Sequence, residues 1–267
     1  MRESCRRRER RAQSELIGYV LVFSAVVLAV GGIVTFGVSA LDQVQSSTVA
    51  ANGEFAMESV AADIEELYYG TGTVRNTELT LEAATLETGP PAIVNVTATR
   101  GSETVEIDRE LDPLVYRVED TTIAYENTLV VRDQSRGSVA VNDPLLKISD
   151  RRAVVPVVET NATSQSVGGG THRVHSVLNQ TTAESISLSR GPVAQRVHLN
   201  VTVQSVPDRI DAWERQLNET VGGLTRPSGV PYAGDPACRR PESGHVTCIV
   251  ETDRVVISHA EIAYELR

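Results

Sequence analysis

The sequence predicts an α+β protein, with a long N-terminal transmembrane α-helix followed by a mostly antiparallel β-sheet or sandwich head. Two observations carry this. Residues 16–41 (LIGYVLVFSAVVLAVGGIVTFGVSAL) contain no charged side chain. Beyond residue 71 the apolar pattern changes to a period of two, in segments rich in Val, Ile and Thr and punctuated by Gly, Pro, Asn and Asp. The predicted organisation is a positively charged leader at 1–12, a transmembrane helix at 13–41, a helical extension at 42–70 and an external β-rich domain at 71–267.

The leader holds Arg2, Arg6, Arg7, Arg8, Arg10 and Arg11 against Glu3 and Glu9. The 26-residue charge-free run that follows is about 39 Å long as a helix, at ~1.5 Å per residue. A bilayer core of ~30 Å needs about 20 apolar residues, and a basic flank stays on the cytoplasmic side. The expected localisation is therefore the cell membrane, crossed once, with the C-terminal domain outside. Gly31, Gly32 and Gly37 suit a helix packed closely in lipid. Three fates are open to the segment. It stays as an uncut anchor, it is cut as a secretory signal after Val38-Ser39-Ala40, or it is processed before the apolar run.

The third fate rests on Arg11-Ala12-Gln13-Ser14-Glu15, set directly before the apolar helix. This junction resembles the class III signal of archaeal type IV pilins and archaellins, over roughly residues 7–45. The resemblance implies cleavage by a prepilin peptidase between Ala12 and Gln13. It also implies a helix retained first in membrane lipid and then among other pilin-like subunits. The fifth mature residue would be Ile17, where bacterial relatives carry a glutamate; the nearest carboxylate is Glu15.

In the extension, Val44, Phe55, Val60, Ile64, Leu67 and Tyr68 share one helix face, Asn52-Gly53 marks a kink, and Gly70-Thr71-Gly72 is the stop. Alternation then predicts strands at 78–87, 92–99, 104–108, 114–118, 121–125, 128–132, 153–158, 185–189 and 197–203. A turn or linker is expected at 163–170. A short amphipathic helix is expected at 208–219, with Ile210, Trp213 and Leu217 on one face, and a Gly- and Pro-rich loop at 222–241.

The chain carries 25 basic and 35 acidic residues. Outside the leader the balance is 19 against 33, a formal charge of −14. Such a surface repels phosphate backbones, which excludes nucleic acid as a partner. Lys147 is the only lysine among those 25 basic residues. This composition resembles that of proteins from salt-loving archaea; the alternative is GC-rich codon usage, which favours Arg over Lys.

Cys238 and Cys248 flank Pro241 and Gly244, so a hairpin that joins them as a disulfide is expected outside the cell. Asn95, Asn161, Asn179, Asn200 and Asn218 each begin an N-x-T triplet and are candidate N-glycosylation acceptors; archaeal surface filaments often carry such glycans, as the resemblance implies. His172 and His175 have no third ligand at a metal spacing, so no metal or other cofactor is expected. G-x-S-x-G, H-E-x-x-H, P-loop and Rossmann patterns are all missing, so no enzyme is expected. The function this implies is a pilin-like structural subunit, minor or accessory, of an archaeal surface filament or envelope complex. The alternative is a single-pass, membrane-anchored external β-domain that binds a partner and never polymerises.

Overall fold

The computed structural model describes residues 3–163, 166–182, 196–224 and 238–267; within these, side chains are described in the first helix for 18–33 and from 44 onward, excepting 46, and elsewhere excepting 181 and 182. By internal contacts the chain divides into Met1–Thr48 and Val49–Arg267, with the boundary inside helix α1 (Glu3–Tyr68).

The second unit begins with residues 49–68 of α1. Met57, Val60, Ala61, Ile64 and Leu67 recur at three- and four-residue steps and are all buried. They pack on one face of a nine-stranded sheet, against Leu79, Leu81, Leu86, Tyr125 and Tyr264. The sheet order is β7-β6-β5-β4-β1-β10-β14-β9-β8. These strands are β1 (Val74–Thr88), β4 (Leu114–Val118), β5 (Thr121–Glu126), β6 (Leu129–Gln134), β7 (Gly137–Ala140), β8 (Lys147–Ile148), β9 (Ala153–Ala162), β10 (Ser166–Thr182) and β14 (Val255–Leu266). All neighbours are antiparallel except β9 and β14.

The opposite face of this sheet meets a five-stranded sheet of order β12-β13-β11-β2-β3. It is built from β2 (Ala92–Arg100), β3 (Glu103–Leu111), β11 (Val197–Gln204), β12 (Cys238–Arg239) and β13 (His245–Thr252). Alternation decides which side chain goes where. Val130 and Val158 face the helix, whereas Leu129, Val131, Val155 and Val157 face the second sheet. A 3-10 turn (Pro207–Arg209) runs into α2 (Ile210–Val221), whose Ile210, Trp213, Leu217 and Val221 join the core between the sheets. The result is three layers: helix, large sheet, then small sheet with α2.

This overturns the fold class expected from sequence. Among the described residues there are fourteen strands against two α-helices and one 3-10 turn, so the described chain is mostly β. Nor is any helix among the described residues long and apolar enough to cross a membrane.

Local differences have local causes. α1 runs unbroken through Asn52-Gly53. Gly53 is buried, and a Cβ there would lie 2.4 Å from Cε1 of Tyr116, so the glycine serves close approach and not a kink. Phe55, expected on the buried face, is 67% exposed, and Val44 is exposed too. The described part of the expected linker at 163–170 is mostly strand, since β10 begins at Ser166. Gly169 and Gly170 take positive φ there, beside a register shift in β1 between Leu81 and Thr85. β13 and β14 lie outside the segments assigned from sequence, although both alternate. The expected strand at 185–189 and most of the expected loop at 222–241 lie outside the described residues.

Candidate assembly surface and polar clusters

The largest chemical anomaly is the apolar helix of the first unit. From Tyr19 to Ile33, its large hydrophobic side chains are between 52% and 76% exposed, on every side of the helix. A Cβ added at Gly18, Gly31 or Gly32 would meet nothing within 4 Å. An apolar surface this long is a candidate interaction surface, because soluble chains seldom leave contiguous apolar patches in water. Arg11, Ala12 and Gln13 sit in the backbone of α1, with side chains outside those described.

Cys238 and Cys248 face one another directly across β12 and β13 and are joined by a disulfide. Both are buried in the inter-sheet core. Gly244, at φ +79°, makes the reversal between the strands and passes close to Ser205.

The five N-x-T asparagines fall into an arrangement that spacing alone does not reveal. Asn95 on β2 lies opposite Thr202 on β11, and Asn200 lies opposite Thr97, so two triplets interlock across one strand pair. The Asn95 side-chain amide donates to Glu106 Oε1 at 2.8 Å. Asn161 on β9 and Asn179 on β10 flank β14, and both donate to Glu261 Oε1, at 3.2 and 3.4 Å. Asn218, on α2, accepts from the Cys238 backbone N–H at 3.3 Å. His172 and His175 are separated by an odd step on a strand and so point to opposite faces. Each is hydrogen-bonded: Nε2 of His172 to the Gly169 carbonyl at 2.8 Å, and Nδ1 of His175 to Asn76 Oδ1 at 2.7 Å. Among the described residues no group of three or more His, Cys, Asp or Glu side chains is placed to hold a metal ion.

Sequence reasoning gave no warning of a buried charge cluster at the centre of the β unit. Glu126 ends β5 almost fully buried. Its carboxylate pairs with Arg209 and accepts from Ser205 Oγ at 2.9 Å and Trp213 Nε1 at 3.0 Å. The turn that follows places Asn127 and Thr128 at positive φ. Asn127 Oδ1 accepts from the Val158 N–H at 2.8 Å, and Thr128 Oγ1 accepts from the Leu145 N–H at 3.2 Å. Every partner is part of the scaffold, so the cluster fixes the 3-10 turn and α2 on the sheets. The one available signal was Trp213, whose indole N–H needs a buried acceptor.

An acidic cleft of about 580 Å³ opens nearby, lined by Glu119, Asp120, Asp133, Asp208 and Asp211 among others. Desolvation pushes the Asp133 carboxyl above its ordinary 3.8, and the carboxylate of Asp208 adds to this; the Arg209 guanidinium and the Gln134 N–H oppose it, and Asp211 reinforces it. A carboxyl whose pKa is raised on folding holds its proton more tightly in the native state. Its stabilising contribution is therefore present below pH 3.8 and lost as pH rises through the native value. Asp133→Asn is expected to raise the unfolding free energy at neutral pH, read from urea denaturation, by under about 1 kcal/mol after solvent screening. The gain should disappear in acid. An equal gain at both pH values would show that the effect is not the ionisation of Asp133.

An exposed apolar helix leading into a disulfide-closed, three-layer β unit defines a helix-led β-sandwich protein. The model of DUF7289, a family of unknown function, matches residues 11–265, and the chain belongs to that family. No curated protein matches the chain, and no solved structure does.

Proposed function

We propose that this chain is a pilin-like structural subunit, minor or accessory, of a surface filament or envelope complex, and not an enzyme. The observation that carries the reading is the helix from Tyr19 to Ile33, apolar and exposed on all sides. Lipid covers it first, and helices of neighbouring subunits then replace the lipid, with close contact permitted by Gly18, Gly31 and Gly32. The Cys238–Cys248 disulfide supports a β unit that faces the oxidising exterior. Its acidic surface keeps that exterior soluble. Processing by a prepilin peptidase between Ala12 and Gln13 precedes assembly.

The test is the N-terminal residue of the native protein, read by peptide mass spectrometry, together with its sedimentation after filaments are sheared from cells. Gln13 at the N-terminus and recovery in the sheared fraction are expected, and Val26→Glu should abolish that recovery. An N-terminus within residues 1–12 or at Leu41 sinks the reading. So does retention of the whole population in the membrane pellet, which would leave a β-domain that binds a partner without polymerising.

A further inference from the structure

β1 has a long unpaired edge. It pairs with β10 along its length, whereas β4 joins its other side only at residues 85–88. Over residues 74–84 that side carries no strand among the described residues. Every second residue of an antiparallel strand turns its N–H and C=O to a given side, so about four residues of the regular run 74–81 offer backbone groups to a newcomer. The strands that end the two sheets are short or charged, which discourages pairing. β8 and β12 are two residues long, and β7 is four residues long and packs against α2. β3 presents exposed Glu103, Glu106, Asp108 and Glu110.

The β1 edge opens instead into a cleft of about 390 Å³ within the second unit, walled by α1. Its two faces differ. Leu79 and Leu81 are buried on the helix side, where Tyr116 and the exposed Phe55 add apolar surface. Glu78 and Thr80 are exposed on the other, and Glu82, at the register shift, is exposed beside them.

We propose that this edge is a docking groove for an extended segment of a partner protein that alternates aliphatic and basic residues and adds to β1 as a strand. The pleat sends successive side chains to opposite faces. A segment in this register lays its aliphatic residues beside Leu79, Tyr116 and Phe55, and its basic residues beside Glu78 and Glu82. Backbone hydrogen bonds to β1 supply the rest of the affinity, as in other strand additions. The same carboxylates exclude a second copy of this chain in the groove. Antiparallel pairing of the edge with itself sets Glu78 opposite or diagonal to Glu78 or Glu82 of the other copy, and like charges so placed destabilise a sheet. The inference does not depend on how the apolar helix assembles.

The experiment is fluorescence anisotropy with the full chain in detergent and a labelled peptide of about eight residues that alternates valine and arginine. Saturable binding is expected, weakened about tenfold in the Glu78→Gln/Glu82→Gln double variant. Both carboxylates are exposed, and an unchanged thermal midpoint checks that the variant folds. Two further peptides carry N-methyl groups on the valine amides or on the arginine amides. In an added strand only one of these sets faces β1, so one peptide should lose binding and the other keep it. Equal binding by both means charge attraction alone and overturns strand addition. Lack of saturable binding by the parent peptide overturns the groove, as does chain that pairs with itself through β1 and leaves the peptide free.

Discussion

Replacement of Glu126 by alanine is expected to lower the unfolding free energy by about 3–5 kcal/mol. The carboxylate is buried and serves Arg209, Ser205 and Trp213 at once. Its removal leaves a guanidinium that is itself buried, with Nε already lacking a partner, and strands a hydroxyl and an indole N–H. The loss should therefore exceed that of any exposed pair such as Arg267 with Glu265, whose attraction water screens. Chemical denaturation of the variant measures it. The double change Glu126→Leu/Arg209→Met should recover most of the loss, because two apolar side chains remove the unpaired charge together with its partner. A double variant as unstable as Glu126→Ala would place the cost in packing and not in the buried charge.

Ile64→Ala is expected to cost about 2–4 kcal/mol, the range for an aliphatic side chain removed from a close-packed core. Ile64 is 1% exposed, between α1 and the large sheet. Phe55→Ala, on the same helix, should cost less than about 0.5 kcal/mol, since the ring stands largely in water. Urea midpoints of the two variants decide the matter, and a larger loss for Phe55→Ala would contradict the placement of this helix face. The comparison also separates stability from recognition. Phe55→Ala should leave the fold intact while removing apolar surface beside the β1 edge.

The two helix residues show how far the sequence could be read. Periodicity places Phe55 and Ile64 on one broad face, but a stripe of that width does not say where the sheet ends. Ile64 lies over the body of the sheet and Phe55 over the cleft beside β1. α2 was legible because Pro207 and the Ile210, Trp213, Leu217 spacing are local signals. Strands with regular alternation, such as β2 and β11, were legible for the same reason. β10 was not, because its Gly168-Gly169-Gly170 run reads as a linker until β1 pairs with it.

By itself, then, the sequence determined the charge-free helix, the period-two body, the acidic surface and a pair of cysteines close enough to join. These properties are local or additive, and no partner distant in sequence is needed to read them. Only the tertiary structure decided that the described chain is mostly β. It alone set Asn95 and Asn200 in interlocking triplets, gathered Ser205, Arg209 and Trp213 around Glu126, and left one side of β1 without a strand over residues 74–84 among the described residues. Register and sheet order bring these groups together across separations of 79 to 107 residues. A single sequence carries no period that encodes which strand will lie beside which.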